Sequence, residues 1–281
     1  VSSYESGHDP EQIVANLKHA FDAADRWHAF SLGGIIDARE TWAPVEHIPS
    51  GFTELDADLG GGLRTRSVHL LAGLSGRGKS QTAVAMAVNA ARMGYPVGFV
   101  SLELERRDVG QLITSQIAGV PRSDFANGVG DRRDADRIRL AKNVGRGLPL
   151  CVLDDEYWIA PLTRTRLAAL VAAGKQRFGW KLLVVDYLGL VVNEETDRSD
   201  YAADCANSAA LKRIARRNDL ALVGIVAVRK RKAADADKPI VLDDVTGAAR
   251  ICYDAVNVFG VQPSGCKDRE PDGIELTPLK T

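Results

Sequence analysis

The chain has 281 residues with 45% hydrophobic content, enough for a sizeable core in one large α/β domain with an appendage or in two small domains. Its formal net charge of −1 excludes a global basic field, so any nucleic-acid contact must rest on a local patch. Four cysteines without C-x-x-C spacing argue against a disulfide framework or a zinc site and for reduced thiols, no apolar run reaches the roughly 18 residues of a membrane helix, and residues 1–10 lack a signal-peptide pattern.

In chain order, residues 10–30 carry Ile13, Leu17, Phe21, Ala24 and His28 at helical steps, which predicts an amphipathic helix started by Asp9-Pro10. Such a helix cannot bury its stripe alone, and it packs either on its own domain or on a neighbouring subunit. Gly33-Gly34, Pro44 and Pro49 mark a linker. The expected division is a linker helix and linker over 1–45 and an α/β domain over 46–281. From Gly51, predicted strands at 67–72, 96–102, 149–153, 181–186, 220–226 and 255–261 alternate with predicted helices at 79–93, 107–118, 132–145, 161–177 and 200–217. That alternation predicts a mostly parallel sheet flanked by helices. Continuous apolar runs such as Leu182-Leu-Val-Val185 suit strands buried on both faces. Turn residues at Ser264-Gly265 and Pro271-Asp272-Gly273 predict a C-terminal antiparallel hairpin that extends the sheet.

Between the first of these strands and the helix after it lies Gly73-Leu-Ser-Gly-Arg-Gly-Lys-Ser80, which fits G-x-x-x-x-G-K-[ST]. Backbone N–H groups of Gly73, Ser75, Gly76, Arg77, Gly78, Lys79, Ser80 and Gln81 can close around phosphates, helped by the helix dipole. Lys79 is the candidate for the β/γ-phosphates of ATP and Ser80 for Mg²⁺. Asp186, at the carboxyl end of an apolar strand, is the second Mg²⁺ candidate. Glu103 is read as ending the strand Val97-Gly-Phe-Val-Ser-Leu-Glu103 that comes directly after the phosphate-loop helix, and that strand is expected to lie near the strand feeding the loop. It is the candidate general base, and Glu105, with Arg106-Arg107 behind it, reads as a solvated helix start. Lys267-Asp268-Arg269 is either a charged hairpin tip or a source of an arginine offered across a subunit interface. Arg229, Lys230, Arg231 and Lys232 suit a phosphate backbone but read equally as a solvated basic loop, and no aromatic side chains interleave them for base stacking.

In this order the segments resemble the C-terminal ATPase domain of DnaB-like hexameric replicative helicases, within the RecA-like superfamily. The resemblance runs from Ile48 to the end. It rests on Ile48-Pro-Ser-Gly-Phe-Thr-Glu-Leu-Asp56, the phosphate loop, Ser101-Leu-Glu-Leu104, Leu182 to Leu190, a looser block from Asp244 to Val256, and Lys267-Asp-Arg269 with Pro271 and Gly273. It implies a RecA-like phosphate-loop fold, ATP and Mg²⁺ at subunit interfaces, Glu103 as catalytic glutamate and Lys267 and Arg269 as a finger acting on the next subunit. It also implies a hexameric ring on single-stranded DNA, a linker helix docked on the adjacent subunit, and a primase or helicase loader as partner. The N-terminal primase-binding domain of the family is not in this sequence, which suggests a short phage- or plasmid-like version or a fragment, cytoplasmic in a bacterial or phage-infected cell. Two positions depart from the family. Ala227 stands where a phosphate-sensing Gln is usual, and Thr246 replaces an Arg. The segment Asn193-Glu-Glu-Thr-Asp197 is acidic. The expected function is an ATP-driven, ring-forming replicative helicase. The alternative is a RecA-like assembly or regulatory ATPase acting on a protein partner, and a RecA-type recombinase is a weaker third reading.

Overall fold

A parallel sheet needs strands apolar on both faces and a crossover helix to carry the chain back after each one. In the computed structural model, residues 44–122, 132–154, 156, 161–191, 193, 199–228, 239–245, 249–264 and 273–281 are described. The predicted helix at 10–30 lies outside them, and Glu46–Thr281 forms a unit of its own. Its elements are β1 (His47–Ile48), α1 (Thr53–Asp58), β2 (Leu63–Arg64), β3 (Ser67–Gly73), α2 (Lys79–Arg92), β4 (Val97–Ser101), α3 (Arg106–Ala118), α4 (Arg132–Gly147), β5 (Leu150–Leu153), α5 (Arg164–Phe178), β6 (Leu182–Asp186), α6 (Asp200–Arg217), β7 (Ala221–Ala227), α7 (Ala249–Asp254), β8 (Asn257–Ser264) and β9 (Gly273–Lys280).

The main sheet has seven strands in the order β5-β4-β6-β7-β3-β8-β9. All pairings are parallel except the antiparallel β8–β9 pair, the expected C-terminal hairpin. No helix among the described residues is long and apolar enough to cross a membrane. Each strand and helix expected after Gly51 is present, the helix at 200–217 with the expected ends and the others with one or both ends shifted. The helix expected from 161 begins at Arg164 because Thr163 caps it, its hydroxyl accepting the Arg166 N–H at 3.4 Å. Small elements without a clear periodicity were not anticipated: β1 paired with β2, α1, and α7. Asp56 holds the opening segment, accepting from Ser50 N–H (2.8 Å), Ser50 Oγ (2.6 Å) and Gly51 N–H (2.9 Å). Asp254 anchors α7 to α6 through Ser208 Oγ (2.6 Å) and Lys212 Nζ (2.7 Å), and these bonds hold its carboxyl below the usual range.

The period of two along each strand sends alternate residues into two cores. Leu71, Phe99 and Val184 meet Met86 and Val88 of α2 on one face. Leu70, Leu183 and Val185 meet Leu167, Val171 and Ile214 of α5 and α6 on the other. This is why the run 182–185 has no polar alternation: both of its faces are covered. On the second face Trp180 is fully buried against glycines on two elements, Gly98 of β4 and Gly174 of α5.

Gly174→Ala tests that contact. Helix propensity alone favours Ala by about 1 kcal/mol, but the new methyl would overlap the Trp180 ring, which has no room to move. Overpacking of a rigid core costs roughly 1–3 kcal/mol, and an overlap this close lies at the upper end of that range, so a net loss of up to about 2 kcal/mol is expected. Urea unfolding of the two proteins measures it, and an unchanged or higher midpoint for the variant would show that the ring yields.

Candidate nucleotide site

The phosphate loop leaves β3 at Gly73 and returns the chain at Lys79, the first residue of α2. Glycine is required at both ends. A Cβ on Gly73 would lie 2.7 Å from the Val261 carbonyl, and Gly78 has φ +90 with Ile274 Cδ1 2.5 Å from where its Cβ would be. Gly78 is the N-cap of α2 and no side chain caps the helix. No acidic residue occupies its first turn, so the positive end of the helix is left for an anion. Ser75, Gly76, Arg77 and Gln81 are exposed, while Lys79 and Ser80 are half-buried.

Lys79 Nζ donates to the Leu74 carbonyl at 2.8 Å, bending its side chain over the loop. Burial lowers the Lys79 pKa, and the charges of Glu103 and Asp186 oppose that. Asp186 ends β6, is 0% exposed, and neither of its carboxylate oxygens has a hydrogen-bond partner. Burial raises its pKa, and Glu103 adds to the rise. The Ser80 hydroxyl and Lys79 pull the other way, Ser80 from outside hydrogen-bonding geometry. An acceptor-only group in this condition is a ready ligand for a cation. The orphaned carboxylate beside Ser80 therefore fits Mg²⁺, and the glycine loop fits the phosphates of ATP.

Glu103 does not end its strand. β4 stops at Ser101, and Glu103 lies exposed in the connection that follows. Nor is β4 a neighbour of β3, as the sequence order suggested, because β6 and β7 stand between them. The carboxyl edge of the sheet nevertheless brings Glu103 close enough for its charge to be felt at both Lys79 and Asp186. Glu105 is the exposed residue before α3, with no capping hydrogen bond from its side chain. Ala227 pairs with Gly73 in the β3–β7 register, and the Val228 N–H donates to the Gly73 carbonyl at 3.3 Å. The position that departs from the family thus sits directly beside the phosphate loop, with a side chain that makes no hydrogen bond. Arg229, Lys230, Arg231, Lys232, Thr246, Lys267 and Arg269 lie outside the described residues.

Sequence reasoning missed a cavity of about 790 Å³ that begins one turn into α2. Gln81 and Thr82 line it with Phe52 and Leu55 of the opening segment and Ile274 and Leu276 of β9. Its walls come from stretches far apart along the chain, with Gln116 of α3 and Phe259 of β8 adding to them, so no local pattern announces it. It also missed Ser101 and Asp154, both buried polar residues beside the Glu103 connection.

This fold and this site define a RecA-like phosphate-loop domain built to bind a nucleotide. The chain belongs to the DnaB-like helicase C terminal domain family, which matches residues 47–272. It is 29% identical over 209 residues to the replicative DNA helicase DnaB of Leifsonia xyli subsp. xyli (strain CTCB07), covering 74% of this chain and 45% of the relative. It is 28% identical over 209 residues to the replicative DNA helicase DnaB of Treponema pallidum (strain Nichols), covering 74% and 46%. The chain thus spans less than half the length of these relatives. Among solved structures, one described as an ATPase domain superposes with a TM-score of 0.73 at 19% identity, covering 98% of this chain and 92% of the other. A DnaB-like replicative helicase, described with its interactions with primase, gives 0.74 at 18% identity, covering 97% and 62%.

Asp186→Asn tests the buried charge. A carboxyl with a raised folded-state pKa penalises folding above that pKa, and the penalty vanishes below the unfolded value of about 3.9. In EDTA without nucleotide at pH 7, the variant should unfold at higher urea than the wild type, and the two midpoints should converge as the pH falls below about 4. A wild-type midpoint equal to or above the variant's at pH 7 contradicts the burial of an unpaired charge.

Proposed function

We propose that this chain is the motor domain of a ring-forming replicative helicase that couples ATP hydrolysis to movement on single-stranded DNA. The observation that carries this reading is the convergence of Lys79, Glu103 and the unpaired, buried Asp186 at one edge of the sheet. Lys79 binds the β/γ-phosphates, and Ser80 and Asp186 hold Mg²⁺. The loop N–H groups from Gly73 to Gln81 orient the triphosphate so that its terminal phosphorus faces Glu103. Glu103 orients the attacking water and accepts its proton. The metal supplies charge neutralisation on the phosphate oxygens. Arg269 and Lys267 reach the terminal phosphate of the neighbouring subunit, and Arg229, Lys230, Arg231 and Lys232 face the DNA in the central channel. Residues 1–45 form the linker helix and linker that dock on the adjacent subunit, which favours a hexamer. A primase or a loader is the expected protein partner, and the expected location is the cytoplasm.

A second reading keeps the ATPase and replaces DNA with a protein partner, as a RecA-like assembly or regulatory ATPase. Ala227 favours it: the residue paired with Gly73 cannot relay the phosphate state through a side-chain hydrogen bond.

Lys79→Ala should lower ATP hydrolysis by about 10²-fold or more and remove any stimulation by single-stranded DNA. A wild-type ATPase indifferent to single-stranded DNA would favour the protein-partner reading. Anisotropy titration of a single-stranded oligonucleotide across salt separates the two directly. Four phosphate contacts predict a slope of about −3 in log K against log salt, from roughly −0.7 per contact. Binding that is absent at low salt rejects the DNA reading. Particle mass by light scattering, with and without nucleotide, should give a hexamer, and a strict monomer would remove the roles of Arg269 and the linker helix together.

A further inference from the structure

Glu103 hangs on the connection 102–105 between β4 and α3, and three neighbouring strands hold that connection. From β6, the Asp186 carbonyl accepts the Leu102 N–H at 2.6 Å. From β4, Ser101 Oγ donates to the Leu104 carbonyl at 2.6 Å and accepts the Leu104 N–H at 3.3 Å. From just past β5, Asp154 Oδ2 accepts the N–H of Arg106, the first residue of α3, at 2.8 Å, and lies 3.4 Å from Arg106 Nε. The residue before α3, Glu105, makes no capping hydrogen bond with its own side chain. The cap comes instead from Asp154, a carboxylate set at the positive end of the helix from a different strand.

The bond with Arg106 is made at a cost. Asp154 is 1% exposed, and its Oδ1 has no hydrogen-bond partner. The ion pair with Arg106 offsets part of that cost, but a neutral residue would cap the helix without burying a carboxylate oxygen that lacks a hydrogen bond. An exposed cap of α3 at position 105 was also open to the chain. A buried carboxylate just past the end of β5 does something that a local cap does not: it ties the start of α3, and so the far end of the Glu103 connection, to the edge of the sheet. We propose that Asp154 is a positioning residue that fixes the Glu103 carboxylate at the distance water activation requires. This rests on Glu103 being the general base. Asp154 touches no reacting atom. It acts through the Arg106 N–H, as Asp186 acts through Leu102 and Ser101 through Leu104. A displacement of about 1 Å at a reacting group costs about 10²-fold in rate.

The test is steady-state ATP hydrolysis by the full chain, with nucleotide affinity measured in parallel with a fluorescent ATP analogue. Asp154→Ala should lower kcat by roughly 10- to 100-fold with KM and analogue affinity unchanged. Asp154→Asn keeps one acceptor for the Arg106 N–H and should recover part of the loss. Arg106→Pro removes the same bond from the other side at a position that tolerates proline, the first residue of a helix. It should reproduce the loss of kcat even if Asp154→Ala does not fold. On a Glu103→Gln background, Asp154→Ala and Arg106→Pro should lower kcat no further, because the residue they position is already gone.

Three results overturn the proposal. The first is a wild-type kcat in both Asp154→Ala and Arg106→Pro while Glu103→Gln is inactive. The second is a loss of the same factor on the Glu103→Gln background as on the wild type. The third is a loss that appears in KM and analogue affinity instead of kcat. A Glu103→Gln variant with wild-type kcat is a different outcome. It removes Glu103 as the general base and the positioning role with it.

Discussion

A carboxylate removed from water without a hydrogen bond is among the least favourable groups a fold can carry, and the carboxyl edge of this sheet is arranged around one. Asp186 is held where it is because β6 is a run of Leu and Val covered on both faces. The strand has no freedom to turn its last residue toward solvent. Lys79 and Ser80 on one side and Glu103 on the other then set the field in which it sits. The two cations within reach of such a site, Lys79 and a metal, each relieve the penalty. A loss of stability of this kind in the free protein would favour the binding of a cation.

The same residue links the candidate metal position to the candidate base position. Its side chain faces the phosphate loop, while its backbone carbonyl holds the Leu102 N–H, one residue before Glu103. Ser101 is paired with Asp186 in the β4–β6 register, so the two anchors lie side by side. A shift of the β6 end would pass to the Glu103 connection through that backbone hydrogen bond. No side-chain relay is needed in that direction. On the other flank, β7 meets the phosphate loop where Ala227 pairs with Gly73 and the Val228 N–H donates to the Gly73 carbonyl.

Much of this was legible along the chain, because strands buried on both faces and crossover helices each leave a local pattern. The phosphate loop is local too: a spacing of glycines, Lys and Ser that serves one turn between β3 and α2. What was not legible is lateral order. Nothing in the sequence of β4 says that it lies three places from β3, since the order of parallel strands is set by which crossover passes over which face. Partners such as Asp154 with Arg106, separated by 48 residues, or the pair of glycines around Trp180, are consequences of that order. Asp56 is the intermediate case. The opening segment was recognisable as a pattern, but its reason is a carboxylate accepting three hydrogen bonds from Ser50 and Gly51.

The exposure of the site bears on how it is completed. Ser75, Gly76, Arg77 and Glu103 all face solvent in the single chain. Phosphoryl transfer depends on electrostatic stabilisation that water weakens, and a base gains strength when its surroundings are dry. A fold that buries Asp186 fully and leaves Glu103 open has built the metal side of the centre and left the water side to be covered. In the ring proposed above, a neighbouring subunit contributing Lys267 and Arg269 would supply that cover and the missing positive charge in one step. Hydrolysis would then depend on the contact between subunits, and such a dependence would let a ring fire its sites in relation to one another.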